Sequence, residues 1–127
     1  MRIIGIGIDV IEVERIDDAL EECGERFLDR VFTAGEQDYC GRQKRPAIHY
    51  AARWAAKEAV SKAFGTGIGA ELGWNDIEVL RRESGEPELV LHGGAQEHAS
   101  EVGVREIKIS LTHAKHYAAA NAVVLGD

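Results

Sequence analysis

Residues 53–67 have the sequence RWAAKEAVSKAFGTG, an alanine-rich segment that predicts a helix followed by a glycine loop. Pro46 suits the first turn of a helix, and Gly65 suits the position just after its last turn. The segment therefore predicts one long central helix over residues 46–64. The predicted apolar stripe of this helix consists of Ile48, Ala52, Ala55, Ala59 and Ala63.

The flanking segments predict a mixture of short helices and strands. Thr33 and Glu36 have the spacing of a capping box, which predicts the start of a helix. In the first strand, Ile4, Ile6 and Ile8 are expected to share one face. Strands are predicted over 2–10, 76–82, 87–92, 105–113 and 116–125, and further helices over 14–23, 26–32, 34–41 and 94–103. This order predicts a single α+β domain over residues 1–127 with a mainly antiparallel sheet.

The composition excludes several classes of protein. The chain has 127 residues, a hydrophobic content of 45% and no apolar run near the roughly 18 residues that a membrane span needs. A net charge of −7 argues against binding to nucleic acid. Cys23 and Cys40 form no CxxC motif, which favours free thiols in a reducing cytoplasm.

The charge is unevenly distributed along the chain. Residues 26–62 carry eight Arg and Lys against four acids, a net charge of +4, whereas the rest of the chain has a net charge of −11. Such a basic block is either solvated surface or a binding surface for an anionic ligand or an acidic partner. The composition leaves both alternatives open.

The charges on the long helix suggest a ligand. Trp54, Glu58 and Lys62 lie at i, i+4 and i+8, so Glu58 is expected at the edge of the buried face. Glu58 and Lys62 alone could be a surface ion pair worth roughly 0.2–0.5 kcal/mol. Arg53 and Lys57 remain as a like-charge pair, which is unfavourable without a nearby anion. A phosphate-bearing ligand would supply that anion.

Asp9, near the end of the first predicted strand, is the second candidate. Its carboxylate could simply cap the following turn. Alternatively, Mg²⁺ commonly binds one or two protein carboxylates and completes its octahedron with water and phosphate oxygens. Asp9 and Glu58 could provide such a pair if the fold brings them together.

Two glycine motifs and one histidine complete the candidates. Residues 5–7, Gly-Ile-Gly, lack the third glycine of a dinucleotide-binding fingerprint, and we reject that interpretation. The loop of Gly65, Thr66 and Gly67 is either a simple helix stop or a place where backbone amides approach phosphate. His113 follows a predicted strand and is either a structural residue or a ligand contact.

Three blocks in order, GIGIDVIEVERI, WAAKEAVSKAFGTG and SLTHAKHYAAANAVV, resemble the holo-acyl-carrier-protein synthases, which are bacterial-type 4′-phosphopantetheinyl transferases. The resemblance spans almost the whole chain, although residues 71–102 add little to it. It implies the phosphopantetheinyl transferase fold and a homotrimer with active sites at the subunit interfaces. It also implies Mg²⁺-dependent transfer of 4′-phosphopantetheine from coenzyme A to a serine of an acyl carrier protein, with adenosine 3′,5′-bisphosphate as the other product.

The same resemblance implies roles for individual residues. Asp9 and Glu58 would bind Mg²⁺, and Lys62 would contact coenzyme A phosphates beside the reacting group. The remaining coenzyme A contacts would come from Arg53, Gly65, Thr66, Gly67 and His113, the last from the adjoining subunit. The acceptor of the serine proton is either Glu58 or a water held by Asp9 through the metal.

The carrier protein is expected to dock on the basic block, because acyl carrier proteins are acidic and complementary local fields govern encounter. Arg15, Arg26 and Arg30 are the first candidates for this contact, with Lys44 and Arg45 as weaker ones. The sequence carries no pattern that distinguishes a fatty-acid from a polyketide carrier.

Two other functions use the same residues. A Mg²⁺-dependent phosphohydrolase acting on coenzyme A would need the carboxylate pair but no docking surface for a carrier. A non-catalytic coenzyme A-binding or assembly module would need neither carboxylate, so the presence of both makes it the least favoured alternative.

Overall fold

Five strands and five α-helices follow one another along the chain in a computed structural model that describes residues 1–127. They are β1 Arg2–Glu12, α1 Val13–Cys23, α2 Glu25–Val31, α3 Ala34–Gly41, α4 Pro46–Phe64, β2 Ile77–Arg81, β3 Pro87–Leu91, α5 Gly93–Glu101, β4 Val104–His113 and β5 Tyr117–Gly126, with a 3-10 turn at Trp74–Asp76. The predicted α+β class is confirmed, and so is each predicted helix and strand.

The strands form two antiparallel sheets. One has the order β1-β5-β4, and the other is the β2-β3 hairpin. Antiparallel pairing is confirmed, but it is divided between two sheets instead of one. The reason is that β3 runs beside β4 across a cleft lined by side chains of both strands, and no backbone hydrogen bonds join the two edges.

Helix α4 lies against the three-stranded sheet in unusually close contact with β1. A Cβ atom built on Gly5 would overlap the carbonyl oxygen of Ala63, and one on Gly7 would overlap the carbonyl oxygen of Ala59. Glycine in the strand and alanine in the helix therefore let the two backbones touch. This packing explains the Gly-Ile-Gly sequence without any nucleotide.

The expected common face of Ile4, Ile6 and Ile8 is wrong. The register of β1 against β5 shifts between Ile3 and Gly5, so Ile4 turns inward and packs against the core. Ile6 and Ile8 point away from α4 and are 70% and 71% exposed. The extra residue of a β-bulge reverses the side-chain alternation in this way.

The face of the sheet that points away from α4, here called the outer sheet face, is apolar along β1, whereas its residues on β4 are Lys108, Ser110 and Thr112. Ile6 lies opposite Val123, and Val10, 65% exposed, lies opposite Ala119. Between them, Ile8 lies opposite Asn121 of β5. A row of exposed aliphatic side chains of this size on a sheet is typical of an interface.

A fully buried carboxylate joins α3 to β2. The predicted capping box is confirmed: the Thr33 hydroxyl accepts a hydrogen bond from the Glu36 amide, and Glu36 Oε1 accepts one from the Thr33 amide. Glu36 Oε2 accepts a further bond of 2.8 Å from the Val79 amide. Both oxygens of this buried side chain are therefore satisfied.

Lys57 of α4 is the cation that balances Glu36. Its Nζ atom lies 2.7 Å from Glu36 Oε1, and both side chains are completely buried. Lys57 also donates to the carbonyl oxygens of Val31 at 2.6 Å and Trp74 at 3.0 Å. The anion predicted near Lys57 is thus Glu36 of the same chain, so Lys57 is not available to a ligand.

Candidate active site

Asp9 lies within β1, on the side that faces α4. Its Oδ1 atom is 3.0 Å from Nζ of Lys62, which also donates to the carbonyl oxygen of Ile8 at 3.1 Å. The Asp9 side chain is 17% exposed. The alternative that Asp9 caps the next turn is wrong, because β1 continues to Glu12 and the carboxylate accepts from Lys62 instead.

Glu58 lies one turn before Lys62 on α4 and completes the group. Its side chain is half-buried, and this burial raises the pKa of the Glu58 carboxyl. The charge of Asp9 raises the same pKa further, while Lys62 opposes both effects. Lys62 contacts Asp9 and lies one turn after Glu58 on α4, so the structure places Asp9, Glu58 and Lys62 beside one another at the β1–α4 contact.

The donor set of this group fits Mg²⁺ shared with a phosphate ligand. Two carboxylates are what a Mg²⁺ site of this kind uses, with phosphate and water oxygens completing the octahedron. The structure shows no group of three or more His, Cys, Asp or Glu side chains placed to hold a metal ion. Asp9 and Glu58 are thus the residues that would hold the ion.

A second, cationic group lines a cavity of about 260 Å³ beside β2 and β4, here called the arginine pocket. Its polar lining residues are Tyr39, His49, Arg53, Arg81, Ser110 and His113, and it contains no carboxylate. A concave site with several cations and no acid is suited to an anion such as phosphate.

Arg53 is the central residue of the arginine pocket. Its side chain is only 6% exposed, and its Nε atom has no hydrogen-bond partner. The guanidinium lies 4.5 Å from the centre of the Tyr39 ring, and Nη1 donates to the His49 carbonyl oxygen at 3.4 Å. Because the chain itself offers this buried donor no partner, the arginine pocket is where a ligand or a water would complete its hydrogen bonding.

The arginine pocket also contains residues that sequence reasoning missed. Arg81 donates to the Tyr39 hydroxyl at 2.6 Å, and the rings of His49 and His113 lie 5.9 Å apart. Burial lowers the pKa of His49, and the charges of Arg53, His113 and Arg81 lower it further. Only His49 had a signal in the sequence, since it lies at i−4 from Arg53 on the same helix.

The two groups lie on different sides of α4. At 100° per residue, Glu58 is roughly 140° from Arg53 around the helix, and Lys62 is roughly 180° from it. Arg53 and His113 therefore share one pocket, but in a single chain they do not join Asp9, Glu58 and Lys62. The expectation that all these residues meet one coenzyme A requires a second copy of the chain.

The loop after α4 ends the helix. Gly65 and Gly67 have φ angles of 80° and 70°, in the left-handed region. The Gly65 amide donates to the carbonyl oxygen of Lys62, and the amides of Thr66 and Gly67 both donate to the carbonyl oxygen of Ser61. These amides are therefore engaged and do not form a phosphate cradle. Contact between the loop and a nucleotide stays a prediction.

The basic block is less uniform than the sequence suggested. Arg53 and Lys57 are buried, so they do not contribute to its surface. Of the docking candidates, Arg26 and Arg30 lie in the block and Arg15 lies before it, and all three are exposed and form no ion pair. They alternate with acids, however, because residues 12–30 contain eight Asp and Glu.

Of the weaker candidates, Lys44 is exposed and unpaired, whereas Arg45 lies 3.6 Å from Asp17 and donates to the Lys115 carbonyl oxygen. None of the helices has the length and apolar character that crossing a membrane requires.

Comparison with known proteins gives the same result by sequence and by structure. The family model of the 4′-phosphopantetheinyl transferase superfamily matches residues 5–122. A holo-[acyl-carrier-protein] synthase of Ruminiclostridium cellulolyticum is 48% identical over 96% of this chain and 92% of its own length. The crystal structure of the corresponding synthase of Neisseria meningitidis has a TM-score of 0.92 at 28% identity, covering 98% of this chain and 99% of that one.

A third similar protein carries a ligand. The holo-(acyl-carrier-protein) synthase of Bacillus anthracis, solved in complex with CoA (3′,5′-ADP), has a TM-score of 0.82 at 35% identity. The match covers 98% of both chains.

Proposed function

Because the chain belongs to the 4′-phosphopantetheinyl transferase superfamily and is an enzyme of its holo-[acyl-carrier-protein] synthase family, we propose that the phosphopantetheine it transfers comes from coenzyme A in a Mg²⁺-dependent reaction. The acceptor is a serine hydroxyl of an apo acyl carrier protein, and the other product is adenosine 3′,5′-bisphosphate. The observation that supports this most is the meeting of Asp9, Glu58 and Lys62 at one end of the β1–α4 contact.

Asp9 and Glu58 hold the metal in this proposal. When bound, Mg²⁺ supplies a Lewis acid that draws negative charge from the pyrophosphate oxygens. Lys62 contributes a second positive charge beside the same oxygens, and its side chain is half exposed and therefore accessible to a substrate. Electrostatic stabilisation of this kind is the main requirement of phosphoryl transfer.

Glu58 accepts the serine proton. A carboxylate beside the reacting group can act as a general base, and Glu58 lies one turn before Lys62, which would contact the same phosphates. As the proton moves to Glu58, the serine oxygen bonds to the phosphorus that carries pantetheine. The bond from that phosphorus to the bridging oxygen breaks, and adenosine 3′,5′-bisphosphate leaves with the electron pair. No nucleophilic residue of the enzyme takes part, and both cysteines are free thiols.

The transfer is tested by mass spectrometry of an apo acyl carrier protein incubated with the enzyme, coenzyme A and Mg²⁺. We expect a mass gain of one phosphopantetheine and its loss when a chelator removes the metal. Consumption of coenzyme A without a gain on any carrier would instead show a hydrolase. Unchanged transfer in chelator would contradict the metal dependence.

A homotrimer is proposed because one chain leaves the site incomplete. The arginine pocket and the Asp9–Glu58–Lys62 group lie on opposite sides of α4, so a neighbouring copy has to bring one to the other. The exposed aliphatic row of Ile6, Ile8 and Val10 supports such an assembly, since it would be buried between copies.

Mixed assemblies test this arrangement. We expect Glu58→Gln and Arg53→Gln each to be nearly inactive alone, and a co-refolded mixture to regain part of the wild-type rate. Recovery occurs because an intact Glu58 of one copy then meets an intact Arg53 of another. A mixture that forms hybrid assemblies by native mass spectrometry but stays inactive would show that both groups act within one chain.

Carrier docking on Arg15, Arg26 and Arg30 is proposed because these arginines are exposed and unpaired. Arg15→Glu is expected to raise the carrier KM about tenfold and to leave the coenzyme A KM unchanged, since rim charges govern encounter. Arg105→Glu on β4 is the control, since it makes the same charge change at an exposed arginine that pairs with Asp127, and it should leave both constants near the wild-type values. Equal effects of Arg15→Glu on both substrates would contradict the docking role.

The cytoplasmic location stays a prediction.

A further inference from the structure

Lys62 forms an ion pair with Asp9, one of the two carboxylates that the proposed metal site requires. Its Nζ atom donates to Asp9 Oδ1 at 3.0 Å and to the Ile8 carbonyl oxygen at 3.1 Å. Asp9 is 17% exposed and Lys62 is 50% exposed, so the pair lies at the boundary of the core. The charge of the largely buried Asp9 carboxylate is therefore balanced by the Lys62 ammonium of the same chain.

The charges of the group explain why this cation matters. Two carboxylates that share a site repel each other, and the Lys62 ammonium, 3.0 Å from Asp9 Oδ1, offsets that repulsion. A divalent cation bound by both carboxylates would relieve it too, and it would repel the Lys62 ammonium at a distance of a few ångströms. Two cations thus compete for one carboxylate of the Asp9–Glu58 pair.

Lys62 is also able to move away. Half of the Lys62 side chain is exposed. Its flexible chain of four carbons reaches from α4 to Asp9 on β1. An incoming pyrophosphate would offer the ammonium a new anion, and Asp9 would then be left to the metal.

We propose that Lys62 is a built-in competitor of the divalent cation, which lowers the metal affinity of the substrate-free enzyme and makes metal and pyrophosphate binding cooperative. This inference rests on the proposed function, because it takes Asp9 and Glu58 as the metal carboxylates. It assigns Lys62 a role before the reaction, in addition to its contact with the phosphates.

Metal binding to the substrate-free enzyme tests the proposal without any turnover. Mn²⁺ binding is measured by electron paramagnetic resonance, and Mg²⁺ binding by its competition with Mn²⁺. Lys62→Met is expected to lower the Kd of both ions about tenfold, since it removes a positive charge next to the site. Lys62→Arg keeps the charge and should retain a Kd near the wild-type value.

Two controls define the site. Lys44→Met removes an exposed, unpaired cation elsewhere and should leave the Kd unchanged. Asp9→Asn should abolish binding in both the wild-type and the Lys62→Met background. As a second readout, Mg²⁺ should raise the Tm of Lys62→Met more than that of the wild type at equal concentration.

The outcomes separate the two levels of the proposal. Asp9-dependent binding that is equal or weaker in Lys62→Met would overturn the role of Lys62 and leave the metal site intact. Absence of metal binding in every variant would overturn both. Tighter binding in Lys62→Met, lost with Asp9→Asn, would support both.

Discussion

Glu58→Gln is expected to lower the rate of phosphopantetheine transfer by about 10²–10³-fold. Glutamine has the same shape but carries no charge, so it is a poor ligand for Mg²⁺ and cannot accept the serine proton. The neutral amide is also not repelled by Asp9. That repulsion, together with the larger effect of burial, raises the pKa of Glu58 in the wild type. The loss should appear in kcat at saturating coenzyme A, because both roles belong to the chemical step.

The matched control for this substitution is Glu97→Gln, which makes the same change on the exposed surface of α5. It should keep the wild-type rate. Circular dichroism of both variants should superimpose on the wild type, because Glu58 makes no side-chain hydrogen bond that the fold needs. A Glu58→Gln enzyme with wild-type kcat would exclude Glu58 as both metal ligand and base.

Lys57→Met is expected to lower the free energy of unfolding by about 3–5 kcal/mol. The substitution leaves Glu36 as a buried charge without its cation and leaves two carbonyl oxygens, of Val31 and Trp74, without their donor. Because methionine fills a similar volume, the loss of stability comes from the broken polar network and not from a cavity. Urea unfolding at one fixed protein concentration measures it, since assembly would otherwise contribute to stability.

Lys44→Met is the matched control for this stability experiment, because it makes the same change at an exposed position. We expect it to alter the free energy of unfolding by less than about 0.5 kcal/mol. If Lys57→Met instead kept wild-type stability and weakened coenzyme A binding, Lys57 would be a ligand contact and its assignment to Glu36 would be incomplete.

The sequence was sufficient for features that depend on local signals. The bounds of α4 follow from Pro46 and Gly65, and the start of α3 follows from the Thr33–Glu36 capping box. That Asp9 and Glu58 serve one metal site was implied by the resemblance to the family and not by periodicity, and the contact between Asp9 and Lys62 was not predicted. A strand and a helix that are distant in sequence carry no local signal of their contact.

Features that depend on the path of the chain were missed. Lys57 looked like a ligand contact because its true partner, Glu36, lies on another helix. The inward turn of Ile4 depends on one bulged residue, which alternation alone does not reveal. The arginine pocket combines Tyr39 of α3 and Arg81 of β2 with Arg53 of α4, and the contacts between these two helices and one strand leave no local signal in the sequence.

The antiparallel pairing of β1 with β5 has a consequence for biosynthesis. Arg2 pairs with Gly126, and the bond from Arg2 to the Asp127 carbonyl oxygen spans 125 positions. At about 5–20 residues per second, a ribosome needs roughly 6–25 s to make the chain between them. Helices α1 to α4 can form during that time, but β1 has no partner strand and its aliphatic side chains stay exposed. Closure of the sheet therefore has to wait until β5 has been made, and the nascent chain is most prone to aggregate in that interval.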